Sequence, residues 1–166
     1  MIARLSVPMR RLVYRVGYVV LKVASLLVRP HTRGVKCVVA RGDELLLVRH
    51  TYGPKQWDLA GGFCRRGEEF AVCARREVAE ELGVHIVGLT DIGEELRGFY
   101  GRHETLRLFR VDVIDRELAI DRGEIAEARW WRRDELPVPR SPLIDVALAR
   151  EALREAPDAA PRASAR

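Results

Sequence analysis

Residues Gly61 to Val84 read GGFCRRGEEFAVCARREVAEELGV, and the spacing inside this run decides how the rest of the chain is read. Gly62, Glu68, Arg76, Glu77, Glu80 and Glu81 place four carboxylates and one guanidinium on a glycine loop and the helix that follows it. Side chains three and four apart on a helix are neighbours, with Cβ atoms about 5–6 Å apart, so Glu77, Glu80 and Glu81 are expected on one edge. Three close carboxylates repel one another and hold their protons more tightly. A hard cation such as Mg²⁺ or Mn²⁺ removes that penalty, because it prefers oxygen ligands and takes only a few from protein when substrate phosphates supply others. Gly83 is placed to end the helix in left-handed geometry, and Gly61 and Gly62 let backbone approach a ligand closely. Carbonyl oxygens of such a loop also serve as ligands.

Arg-Glu-x-x-Glu-Glu has a blander use, since solvated helices carry it for solubility and for pairing between successive turns. The complete register separates the two readings, because seven fixed residues and two aliphatic ones, Val78 and Val84, all fall in place. The run resembles the Nudix box: Gly, five residues, Glu, seven residues, then Arg-Glu-aliphatic-x-Glu-Glu-x-Gly-aliphatic. The flanks from about Gly34 to Pro137 also resemble a Nudix domain. One position departs, since the family usually has Pro before the two glycines and this chain has Ala60.

The resemblance implies an α/β fold, an α/β/α sandwich on a mixed sheet, and a metal-dependent hydrolase that cleaves a diphosphate linkage in a nucleoside diphosphate joined to another group. By the same resemblance Glu80 and Glu81 are the principal ligands of Mg²⁺ or Mn²⁺, with the Gly61 carbonyl as another. Glu77 either ligates metal or accepts the proton of the attacking water, Arg76 orients the carboxylates, and Glu68 supports the metal shell. Family members often use a further acid outside the box, for which Glu124 and Glu127 are the two candidates. Arg49, at the end of a strand, is the candidate phosphate-binding arginine. Tyr100 weakly resembles a tyrosine of members that act on dinucleoside polyphosphates. The proline of ADP-ribose-cleaving members is missing, and neither the motif of NADH-cleaving members nor that of coenzyme A-cleaving members is found. The competing reading is a noncatalytic Nudix-fold nucleotide sensor or membrane-surface module, against which the intact set of carboxylates counts.

With 166 residues, 48% hydrophobic and 32% charged, the chain has the composition of one globular domain plus extensions. Residues 1–33 are read as a basic helical extension, 34–155 as the hydrolase domain and 156–166 as a disordered tail. Cys37, Cys64 and Cys73 show neither disulfide-like nor zinc-like spacing, which fits a reducing, cytoplasmic compartment. Cys64 and Cys73 sit at free positions of the box and are read as packing residues.

Charge is concentrated at one end. Nine basic residues and no acidic one precede Asp43, so the net +5 belongs to the N-terminus. Between positions 11 and 29 the polar residues Arg11, Arg15, Tyr18, Lys22, Ser25 and Arg29 recur at alternate four and three spacing, and most of the rest is Val and Leu. Such a helix suits an anionic membrane surface, or packs its apolar face on the domain or on a second subunit as a homodimer. It does not suit spanning, because Lys22 divides the apolar residues into runs of about six where roughly 18 are needed. Specific nucleic-acid binding is not expected, since basic charge alone gives only salt-sensitive, nonspecific affinity.

Val35–Arg41 and Glu44–Arg49 read as a hairpin around Gly42-Asp43, and Gln56–Leu59 as a short strand. His85–Phe99 and Glu104–Val113 read as two longer strands with bends at Gly88, Gly93 and Gly98. Glu127–Trp131 is a last strand, and Pro142–Glu155 a closing helix capped by Ser141. Tyr52, Trp57, Phe63, Phe99, Tyr100, Trp130 and Trp131 are the aromatic candidates for base stacking, most of them expected in the core.

Overall fold

A computed structural model describes residues 6–28, 31–99 and 102–155, with side chains described outside 24–28, 99 and 102. Tyr100 and the tail 156–166 lie outside the described residues. The elements are α1 (Val7–Val28), β1 (His31–Arg41), β2 (Glu44–His50), α2 (Phe70–Leu82), β3 (Ile86–Phe99), β4 (Arg102–Val113), β5 (Ile125–Arg132) and α3 (Pro142–Glu155). β1 thus begins ahead of the Gly34 boundary read from the sequence.

The strands form one mixed sheet in the order β3-β4-β1-β2-β5, in which β1 runs parallel to β4 and every other pair is antiparallel. Alternation along β1 and β2 sends apolar side chains to both faces, as it must in a sheet covered on both sides. Val35, Cys37, Val39, Leu46 and Val48 meet Cys73, Ala74, Val78 and Leu82 of α2. Val38, Ala40, Leu45 and Leu47 meet Leu143, Ile144 and Ala147 of α3. The result is the α/β/α sandwich implied by the box. Each fully buried Val or Leu here stabilises it by about 1.5–3 kcal/mol.

The predicted hairpin forms with Arg41 paired to Glu44. The bends expected at Gly88 and Gly93 appear as shifts of the β3–β4 register, whereas Gly98 stays in register with His103. Gln56–Leu59 makes only isolated bridges, Trp57 to Arg140 and Asp58 to Val48 of β2. The Ser141 hydroxyl accepts the Leu143 N–H at the start of α3.

α3 is fixed to the sheet by charge as well as by apolar contact. Glu151, 2% exposed, accepts two hydrogen bonds from Arg133 at 2.8 and 2.9 Å and another from Arg110. Burial alone would raise the pKa of Glu151, but the bonds and charges of Arg133 and Arg110 outweigh it and hold it below the ordinary value. A carboxyl held low in the folded state contributes stability above its unfolded pKa, and loses it as pH falls through the folded one. Glu151→Ala should therefore cost about 2 kcal/mol at pH 7, because it removes the buried carboxylate to which Arg133 donates two charge-assisted bonds, while Arg110 keeps Asp112 and Glu155. Urea unfolding of both proteins between pH 7 and pH 3 checks this, and the gap between them should shrink at the acid end.

Candidate active site

α2 and the loop before it hold one another. Val35 N–H donates to the Gly62 carbonyl and Cys37 N–H to the Ala60 carbonyl, both at 2.9 Å, so the loop is paired to β1 on either side of Gly61. Ala60, standing where the family usually has Pro, is fixed by this pairing rather than by a ring. Gly61 has φ 127°, and a Cβ there would lie 2.3 Å from the Val35 carbonyl oxygen. A Cβ on Gly62 would lie 2.7 Å from a Glu77 carboxylate oxygen. Only glycine allows the backbone this close to the helix. At the far end Gly83, with φ 64°, caps α2 as expected.

The three helix carboxylates occupy graded environments. Glu81 is 1% exposed, and its Oε2 accepts the Gly61 N–H at 2.9 Å. Its Oε1 is buried with no hydrogen-bond partner among the described residues. Glu77 faces Gly62, and the side chain of Glu80 is 56% exposed at the rim. Arg76 joins the set: it grips Glu68 by two bonds of 2.8 Å, and reaches Glu77 at 2.6 Å and Glu80 at 3.2 Å. The Arg76 bond, helped by the Arg65 N–H, lowers the Glu68 pKa to about 2, and the bonds to Glu68 and Glu77 raise that of Arg76.

A carboxylate from another part of the chain completes the cluster. Glu124, in the loop before β5, brings an oxygen within 4.8 Å of ligand atoms of Glu81 and of His50 at the end of β2. Tyr52 donates to Glu124 at 2.6 Å and holds it in place. Burial, followed by the charge of Glu124, raises the pKa of Glu81 well above the ordinary carboxylate value. Burial likewise raises Glu77, against the opposing pull of Arg76. His50 is driven down to about 4 by burial and by Lys36, so it is neutral at pH 7, and its Nδ1 has no partner among the described residues.

These groups border a cavity of about 480 Å³ lined by Glu77, Glu80, Glu124, His50, Gly61 and Gly62 on one side. Lys36 and Asp58 border it as well, and their ion pair of 2.8 Å is reinforced by a Lys36 bond to the Leu59 carbonyl. Burial favours the neutral form of each, but the mutual attraction wins, raising Lys36 and lowering Asp58. Tyr18, Leu21, Tyr52 and Phe63 supply apolar wall.

The structure thus brings Gly61, Glu77, Glu80, Glu81 and Glu124 together, with Arg76 and Glu68 behind them. It does not bring Arg49 or Glu127. These two pair with each other at 3.4 Å across β2 and β5, and Arg49 lies over the Trp57 ring at 4.9 Å. The period of two along β2 explains the outcome, because it turns His50 toward the cavity and Arg49 away. Lys36 and Asp58 were not candidates from the sequence, and Tyr18 was read there only as part of the polar stripe of the N-terminal helix. Lys36 carried the one available signal, a lysine in the middle of an otherwise apolar strand.

The family model described as NUDIX domain matches residues 30–156. A relative from Pseudomonas aeruginosa, described as NAD-capped RNA hydrolase NudC, is 36% identical over 120 residues, which are 68% of this chain and 42% of that protein. The protein of the same description from Mycobacterium tuberculosis is 35% identical over 104 residues, 61% of this chain and 33% of the relative. This chain therefore spans less than half the length of these relatives. Among solved structures, the MutT NUDIX hydrolase from Burkholderia pseudomallei superposes with a TM-score of 0.67 at 21% identity, covering 73% of this chain and 98% of that one. That likeness concerns the fold, and with the matched domain it agrees with the box read from the sequence: the chain belongs to the Nudix family.

Proposed function

We propose that this protein is a Mg²⁺- or Mn²⁺-dependent pyrophosphohydrolase that cleaves the diphosphate linkage of a nucleotide-type substrate. The observation that carries the reading is Glu81: a buried carboxylate with one oxygen fixed by backbone and the other unpartnered, beside Glu124 and a neutral His50. A donor set of carboxylates that raise one another's pKa fits a hard cation, which removes the repulsion. Glu77, Glu80, Glu81, Glu124 and the Gly61 carbonyl would hold it. When bound, such a cation supplies positive charge against the diphosphate oxygens and makes water more acidic.

The chain's own residues do the rest. Arg76 fixes Glu77 and Glu80, and Glu68 fixes Arg76. Glu77, on the cavity wall beside Gly62, either ligates the cation or accepts the proton of the attacking water. Lys36 brings positive charge to the same cavity, where it can meet a phosphate oxygen, and Asp58 keeps it oriented. Tyr18 and Phe63 offer surface for a base or sugar. NAD-capped RNA, named for the relatives, contains a diphosphate between two nucleosides, so both it and free NAD belong on the substrate panel.

Phosphate- or nucleotide-release assays over nucleoside triphosphates, nucleotide sugars, dinucleoside polyphosphates and NAD should show turnover that requires Mg²⁺ or Mn²⁺. Failure on every member would favour the nucleotide sensor. Glu80→Gln and Glu81→Gln should each lower turnover on the order of a hundredfold or more with folding retained, read by thermal denaturation; near-normal rates would place the cation elsewhere. Tyr52→Phe should raise the metal concentration needed for half-maximal activity by about tenfold to a hundredfold, through loss of the bond that orients Glu124.

A further inference from the structure

α1 lies on the domain by the face that a surface helix ordinarily gives to water. Arg10 pairs with Asp121, Arg11 donates to the Arg122 carbonyl at 3.1 Å, and Arg15 donates to the Thr51 carbonyl at 3.2 Å. The Tyr14 and Tyr18 rings stand 5.9 and 5.8 Å from the ring of Tyr52. Burial, then the charge of Glu124, pushes the Tyr14 pKa up to about 12, which fits a phenol enclosed beside that carboxylate. Arg11, Arg15 and Tyr18 of the polar stripe found in the sequence, together with Arg10 and Tyr14, therefore hold α1 to the loops that carry the cavity.

The apolar stripe points outward. Met9, Leu12, Val16, Val19, Val20 and Val23 are each 49–60% exposed, and their spacing of three, four, three, one and three places them on one side of the helix. Single exposed apolar residues are ordinary, but a continuous stripe of six marks a contact surface. No described residue of the domain covers it.

Charge decides between a second copy and a lipid surface. Asp121 of the domain offsets Arg10, but α1 also carries Arg11, Arg15 and Lys22 and no acidic residue, and no acidic residue occurs anywhere before Asp43. The bonds of Arg11 and Arg15 go to carbonyls, which leave the guanidinium charges in place. Pairing two such helices sets like charge against like, whereas anionic headgroups attract it. No helix among the described residues is long and apolar enough to cross a membrane, so the helix would lie in the surface plane.

We propose that the outward face of α1 seats on an anionic lipid surface and holds the catalytic cavity one helix thickness, about 10 Å, from the headgroups. The inference rests on how α1 is docked and is independent of the hydrolase reading. Full-length protein should sediment with vesicles of phosphatidylcholine mixed with phosphatidylglycerol and much less with phosphatidylcholine alone. The double variant Val16→Asp/Val20→Asp should lose at least about tenfold in this partition while keeping the unfolding temperature and solution turnover of the parent, because neither side chain touches the domain side. Absence of vesicle binding in the parent, or unchanged binding in the variant, would overturn the proposal. So would a parent that is dimeric in sedimentation velocity and made monomeric by the substitutions, which would assign the face to a second copy.

Discussion

A carboxylate enclosed by protein, with one oxygen held and the other left over, is the constraint on which this site is built. Glu81 is placed by α2, whose Cys73, Ala74, Val78 and Leu82 are packed against the sheet, and is fixed by the N–H of Gly61. That bond is available because β1 pairs with the loop on both sides of Gly61. Burial of a charge without a partner is costly, and the energy of the folded domain is what keeps it there. The neighbours make it worse: Glu77 and Glu124 raise the proton affinity of Glu81 further. Structural carboxylates look different, as Glu151 shows, with each oxygen saturated by arginine and its pKa lowered.

Arg76 and Tyr52 divide the work of holding the remaining acids. Arg76 gathers Glu68, Glu77 and Glu80 from the box side, and Tyr52 holds Glu124 from the other. Tyr52 is in turn enclosed by Tyr14 and Tyr18, so α1 reaches the acid cluster through one layer of aromatic rings. A helix that would otherwise be an appendage is thereby part of the cavity wall, and whatever its outer face meets is mechanically close to the chemistry.

The box was legible because its residues are local. A period of 3.6 and a spacing of five and seven residues are enough to set Glu77, Glu80, Glu81 and Arg76 beside a glycine loop, and the family resemblance follows from the same positions. The hairpin around Gly42-Asp43 and the helix Pro142–Glu155 were legible for similar reasons, since turn chemistry and a capped start lie in consecutive residues. Arg49 was harder, because its side depends on strand parity relative to a cavity the sequence does not display. The choice between Glu124 and Glu127 was open for the same reason, three residues being enough to move from the cavity loop to a surface pair with Arg49.

By itself the sequence determined the layered α/β fold, the family and the run of residues that forms the acidic helix edge, because each depends on spacing along a few turns of chain. It also determined that α1 would be two-sided. Only the tertiary structure decided which side faces inward, that His50, Lys36 and Asp58 border the same cavity as the box, and that Glu124 joins it. Those relations link residues far apart in sequence, and they are settled by packing and by the register of β1 against its neighbours, which local periodicity does not encode.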